Sequence, residues 1–441
     1  MSQLTGDQFA SVLREENISL PRSAGGKGVP LMGVGLLLAV GAIVLGMMKA
    51  AGATFAHGLA AYHVGAMAVL AASLGATFIV MIFHLFNAGW TGTVRRQFEN
   101  LMSFLPFAAI LAFVTPIIDF FVGGGQLFLW MSPEASHDLL LQEKWIYFFG
   151  SSFNSTMEGH KNFPLFFFAR GVFYIAFWFF VSRRLYSWSL QQDQTGDPTL
   201  TSKARFQSAW GILVLALTTA FCAFDWLKSL DYRFFSTMWG VYYFAGGAFA
   251  STYLVTLIFA MLRGKGRLEG AVTKEHFHDL GKMAFSFTVF WAYIAFSQYF
   301  LIWYSNIPEE TAYYNYRKSG EIGALSWNTV STLVVWGHFA ALFLFMISRH
   351  VKKNPKLVAL AAIWALFMHA VDIFWIVRPM VYAGMPAGEI PGLASGIIDL
   401  AGLIGFAMIF AGYLMHKIPS APLIAVRDPR LHEALEHKNY V

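Results

Sequence analysis

Cysteine is nearly missing from this chain: Cys222 is the only one in 441 residues. A single thiol excludes a disulfide framework, an iron–sulfur cluster held by four thiolates, and the CxxCH attachment of a c-type haem. Charge is scarce as well. Asp, Glu, Lys and Arg make up 13% of the residues, against about 25% in a soluble domain. Hydrophobic residues make up 57%, and the mean hydropathy is +0.53. Such a composition excludes a soluble globular protein, and nucleic acid is not an expected partner of the net +6 charge. Residues 1–28 are polar and mixed in charge, without an apolar core or a small-residue cleavage site, so no signal peptide is expected there. Histidines occur, but no metal-ligand cluster does.

What fills the chain instead is apolar sequence in blocks. Ten segments, at 29–50, 59–87, 99–121, 162–181, 206–225, 237–262, 280–303, 323–347, 357–381 and 391–415, each match the roughly 20 apolar residues that a helix needs to cross a bilayer. The expected fold is an all-α polytopic membrane protein. Residues 1–28 and 416–441 would be polar cytoplasmic ends of a ten-helix domain at 29–415. Lys and Arg set the orientation. Of 31, 22 fall in the ends and connections that would share a side with the N-terminus, seven on the opposite side, and Arg170 and Arg378 inside apolar runs. By the positive-inside rule both termini are cytoplasmic.

A weak repeat relates segments 2–5 to segments 6–9. Leu127-Phe128-Leu129-Trp130-Met131-Ser132-Pro133-Glu134 after the third segment is echoed by Phe300 to Glu309 after the seventh. Asp225 in the fifth segment is echoed by Asp372 in the ninth. A period of four helices keeps both copies in the same orientation. The expectation is two four-helix bundles with helices 1 and 10 outside them. The connection at 122–161 is the only outer loop long enough to be a docking surface, and its aromatics could equally pack over the bundle.

Ionisable groups inside apolar runs are costly and invite a functional reading. Asp119, Arg170, Asp225, Asp372, Arg378 and Asp399 fall in the outer half of the membrane. His84 and His338 fall in the inner half, and His369 near the middle, three residues from Asp372 and on its helix face. Three readings stay open. In the first the groups are ion pairs that fix helix register: Asp119 or Asp225 with Arg170, and Asp372 or Asp399 with Arg378; Lys228, one turn on, also competes for Asp225. In the second the acids and His369 form a proton path continuing through His338 and His84. In the third, Asp225, Gln298 and His369 bind a quinone near the outer interface. A haem b would need paired histidines on facing helices. His63 and His84 lie at opposite ends of one run, and His338 and His369 are each alone in theirs, so no helix carries a spaced pair, and two axial histidines would have to come from different helices.

Two stretches carry a resemblance. One is Phe224-Asp225-Trp226-Leu227-Lys228-Ser229-Leu230 followed by Phe235-Ser236-Thr237-Met238-Trp239-Gly240-Val241-Tyr242; the other is Phe296-Ser297-Gln298-Tyr299-Phe300-Leu301-Ile302-Trp303-Tyr304-Ser305-Asn306-Ile307-Pro308-Glu309-Glu310. With Gly89-Trp90 and Arg95-Arg96, they resemble the ten-helix membrane subunits of bacterial alternative complex III, in the polysulfide-reductase membrane-subunit superfamily, and the F subunit family among them. The resemblance implies an inner-membrane subunit without a redox cofactor in a complex that oxidises quinol. Its partners would be a related ten-helix subunit, an iron–sulfur subunit, c-type cytochrome subunits and a terminal oxidase or periplasmic carrier. The implied role is stabilising the assembly, with proton conduction added. The alternatives are the quinol-binding subunit of the same complex, or a free-standing secondary transporter using the buried charges.

Overall fold

The computed structural model describes residues 6–322, 325–383 and 390–439. Among these, ten helices are long and apolar enough to cross a membrane: α1 (Gly28–Met47), α2 (Phe55–Leu85), α3 (Arg95–Gly123), α4 (Leu165–Thr195), α5 (Thr199–Asp231), α6 (Trp239–Gly264), α7 (Lys274–Ser305), α8 (Trp327–Met346), α9 (Pro355–Tyr382) and α10 (Leu393–Ser420). The chain is an all-α polytopic membrane protein. One short antiparallel pair, Glu321–Ile322 with Leu325–Ser326, is its only β structure among the described residues.

The helices begin where capping chemistry allows. The Thr54 hydroxyl accepts from the His57 N–H and starts α2. Thr273 and His276 form a reciprocal capping box at α7, and Asn354 followed by Pro355 starts α9. Several helices outrun their apolar segments. α4 continues through Arg183 and Arg184 to Thr195, turns at Gly196 with φ +70°, and α5 starts three residues later. Sequence reading put a loop there because it follows hydropathy, whereas a polar helix keeps its backbone hydrogen bonds outside the bilayer as readily as inside it.

Neighbour relations make two rings. α2, α3, α4 and α5 pack in a closed cycle, and so do α6, α7, α8 and α9. α2 and α6 form the seam, with α5 and α9 reaching across it; α1 and α10 pack on each other and on α2. Buried residues fill 83% of the most apolar window of α2 and 78% of that of α6, against 28% for α1, which marks the seam helices as the centre. Without a hydrophobic force between helices in lipid, close backbone approach through small residues holds such a seam. A Cβ on Gly75 would lie 2.1 Å from the Gly247 carbonyl oxygen, and one on Gly247 would lie 2.4 Å from that of Ala71. Gly75→Ala should therefore push α2 and α6 apart and cost about 1–3 kcal/mol, read as a lower unfolding midpoint in detergent. An unchanged midpoint would mean that the seam yields freely.

The described segments before α1 and after α10 lie together on one face. The Leu423 N–H donates to the Ile18 carbonyl at 2.7 Å, and the Gln97 side chain donates to the Leu423 carbonyl at 2.8 Å. The tail after α10 is not a free polar end: Leu423, Ile424, Leu431 and Leu435 are buried. Asp428 accepts from Arg95 Nη1 at 2.7 Å. Burial alone would raise the Asp428 carboxyl, but the Arg95 charge beside it, with further hydrogen bonds, holds it below the usual range. Its contribution is therefore full above the unfolded value of about 3.9 and is lost as pH falls through the lower folded value. Asp428→Asn should speed proteolysis of the tail about tenfold at neutral pH, the size of one charged hydrogen bond, while the parent tail stays protected at pH 5. Equal cleavage rates would show that Asp428 does not fasten the tail.

On the opposite face, the long connection at 122–161 packs inward. Phe128, Trp130, Trp145 and Phe148 are buried, with Trp130 stacked on Phe148 at 4.1 Å. Those aromatics serve as the lid of the first ring and do not offer a docking surface. This face is called the loop face below, and the other the termini face.

Candidate functional site

Each intramembrane acid meets a different partner. Asp225, fully buried near the end of α5, takes both forks of Arg170 from α4, Nε at 2.9 Å and Nη2 at 2.7 Å. Tyr174, one turn along α4, adds a hydroxyl at 2.8 Å. Arg170 also donates to the Tyr147 carbonyl at 2.6 Å and lies over that ring. A bidentate guanidinium fits a carboxylate better than any other cation, and Lys228 is left out. Asp119 has no arginine. At the end of α3 it accepts backbone N–H bonds from Gln126, Leu127 and Phe128 at 2.7–3.2 Å and so folds the start of the loop. Pairing of Asp119 with Arg170 is thereby corrected.

Arg378, at the loop-face end of α9, pairs with Asp399 of α10 at 3.0 Å. His57 completes the group from the first turn of α2: its Nε2 lies 3.1 Å from Asp399 Oδ2, and its Nδ1 lies 2.9 Å from the Tyr382 hydroxyl. This cluster ties α10 to both rings. The alternative pairing of Arg378 with Asp372 is excluded, because Asp372 lies elsewhere.

Asp372 is the acid without a cation. Buried in α9, it accepts from the Tyr242 hydroxyl of α6 at 2.5 Å and from Trp291 Nε1 of α7 at 3.2 Å. Beside it, His369 bonds the Ala68 carbonyl of α2 through Nε2 at 3.2 Å, and its Nδ1 has no partner. A Cβ built on Gly246 would lie 3.8 Å from His369 Nδ1 and 3.9 Å from Asp372 Oδ2, so both side chains face one bare stretch of α6. His338 lies on a π-helical stretch of α8, Val334–Ala341, with its ring 3.7 Å from Trp291 and 4.3 Å from Phe249. Both of its ring nitrogens are buried without a hydrogen bond. Such π turns often mark functional positions, and buried polar atoms left unpaired demand an explanation. One carboxylate and two imidazoles with free positions, gathered inside the second ring, can hold and pass protons. This is the candidate site.

The remaining predicted residues fall outside it. Gln298 accepts from the Ser236 hydroxyl at 2.6 Å and lines a loop-face cleft that Asp225 and His369 do not reach, so the three proposed quinone ligands do not converge. His84 sits at the termini-face end of α2, beside Arg95 and Glu99, and no contact joins it to His338 among the described residues. Three structural groups were missed. His57 lies just ahead of the expected second segment. Arg95 and Arg96 were counted as loop charges, yet both are buried around Glu99, with Arg95 Nε at 2.8 Å, Ser189 Oγ at 2.6 Å, and Asp193 at 2.5 Å from Arg96. The i, i+4 spacing of Arg95 and Glu99 was the available signal. Arg317, also counted as a loop charge, is buried and donates to the carbonyls of Trp375 and Ile376 at 3.2 and 2.9 Å, where the α-helical part of α9 ends before its last turn at Arg378–Tyr382. No three His, Cys, Asp or Glu side chains among the described residues gather as a metal site would require.

Compared with known families and with curated proteins, the chain matches neither a family model nor an individual protein.

Proposed function

We propose that this chain is a membrane subunit of a quinol-oxidising respiratory complex of the alternative complex III type. It sits in a bacterial inner membrane with its termini face in the cytoplasm, holds the assembly in the bilayer, and passes protons through the α6–α9 ring. The two motif stretches and the excess of Lys and Arg on the termini face support membership and orientation. The observation that carries the proton role is Asp372: it alone among the four intramembrane acids has neither a cation nor a set of backbone N–H groups, and it stands beside two imidazoles with unpaired nitrogens. An acid of this kind inside a membrane domain is suited to a proton relay. Quinol oxidation falls to a partner subunit, because Asp225 is taken by Arg170 and Gln298 and His369 face different neighbourhoods. The haems and iron–sulfur clusters would likewise belong to partners.

Gentle solubilisation of native membranes, capture of this chain, and an absorption spectrum with mass spectrometry of everything retained test the assignment. Haem c bands, an iron–sulfur protein and a second ten-helix subunit are the expected result. A colourless single-component preparation would overturn it and make the chain a free-standing transporter.

A further inference from the structure

A cleft of about 830 Å³ opens on the loop face where the two rings meet. Its walls come from the end of α5, the α5–α6 connection, the outer part of α7 and the long loop. That volume lies within the range of small-molecule sites. Phe221, Phe235 and Leu301 line it and are also exposed on the exterior of the fold, so the cleft is open at the side as well as at the loop face.

Two ammonium groups point at the same ring inside it. Lys144 Nζ lies 3.5 Å from the Phe235 centroid and Lys228 Nζ lies 5.7 Å from it. Neither forms an ion pair among the described residues. Lys144 gives one hydrogen bond to the Tyr232 carbonyl, which leaves two of its three N–H donors. Burial, and then the charge of Lys228, pull the Lys144 ammonium down to about 8. Asp231, Asp138 and Glu143 act on Lys144 in the opposite sense without pairing with it, so a bound anion would meet two ammonium groups on one apolar wall. Glu143 and Glu310 border the same cleft, so its formal charges balance overall, which disfavours a polyanion; the two ammonium groups that share the Phe235 ring are the part of the lining that a single phosphodiester complements.

We propose that this cleft holds an anionic phospholipid from the loop-face leaflet, its phosphodiester between Lys144 and Lys228 and its acyl chains along Phe221, Phe224 and Leu301. The lipid would fill the groove between the rings and brace α5 against α7.

The test is native mass spectrometry of the purified full chain equilibrated with phosphatidylglycerol, phosphatidylcholine, inorganic phosphate or a quinol. One phosphatidylglycerol per chain is expected, held in preference to phosphatidylcholine. Retention should weaken about thirtyfold in the K144Q/K228Q variant, the size expected for two lysines at an anionic lipid surface. The K144R/K228R variant keeps both charges and should retain the lipid, which separates loss of charge from misfolding. Equal retention of phosphatidylglycerol and phosphatidylcholine would overturn the proposal. So would an unchanged K144Q/K228Q variant, a folded K144R/K228R variant that releases the lipid, phosphate binding as tightly as lipid, or displacement of the lipid by quinol.

Discussion

Arg170→Ala should deplete the folded chain almost completely. Asp225 would keep the Tyr174 hydroxyl and lose both forks of its guanidinium, leaving a fully buried carboxylate with no positive charge. Breaking a buried pair on one side costs about 3–5 kcal/mol, a large part of the roughly 5–15 kcal/mol that holds a typical fold. The loss also detaches Tyr147 and with it the end of the long loop. Removing both charges should be far milder, because an apolar pair of similar size avoids desolvating two ions. The comparison is the unfolding midpoint and the monodisperse yield of Arg170→Ala against the Arg170→Met/Asp225→Leu double variant. If the single variant is as stable as the parent, the pair is not a structural fastener.

Asp372→Asn should do the reverse, leaving the protein folded and stopping its proton traffic. Asparagine keeps the shape: its oxygen can accept from the Trp291 N–H while its NH2 donates to the Tyr242 hydroxyl, which turns from donor to acceptor, so the packing of α6, α7 and α9 survives. What disappears is a group able to gain and lose a proton beside His369 and His338. A well-placed acid or base is worth about 10²–10⁴ in rate, so proton uptake by the intact complex in vesicles should slow by about a hundredfold or more. Haem content and subunit composition should stay as in the parent. Normal proton uptake in a complex carrying Asp372→Asn would remove Asp372 from any path and reduce the cluster to packing.

These contrasting outcomes were only half legible in the sequence. Ten crossings could be read because blocks of about 20 apolar residues have few other uses. Positions of the acids within those blocks could be read for the same reason. Their partners could not. Asp225 and Asp119 were both in reach of Arg170, and Asp372 and Asp399 both in reach of Arg378, because periodicity gives depth along a helix and says nothing about rotation toward a neighbour. The repeat made Asp225 and Asp372 look equivalent, yet one received an arginine and the other a tyrosine and a tryptophan. Hydropathy also concealed the buried cations at the helix ends. Arg95, Arg96 and Arg317 lie a few residues ahead of apolar runs, where the positive-inside count treats every cation as solvated, whereas each is enclosed by a carboxylate or backbone carbonyls. The long loop shows the same limit. Its aromatics were equally consistent with docking and with packing, and the N–H bonds from Gln126 to Phe128 onto Asp119 turn the chain back over the first ring.

The division of labour between paired acids that fasten helices and one unpaired acid that handles protons is most directly tested by infrared difference spectroscopy. The assembled complex would be followed through reduction and reoxidation in water and in deuterium oxide. A carboxyl carbonyl band that shifts on deuteration, is lost in Asp372→Asn, and persists when Asp225 and Arg170 are replaced together is the expected result. A band that survives Asp372→Asn, or that vanishes with the Asp225–Arg170 pair, would contradict the assignment and move the proton chemistry to the first ring.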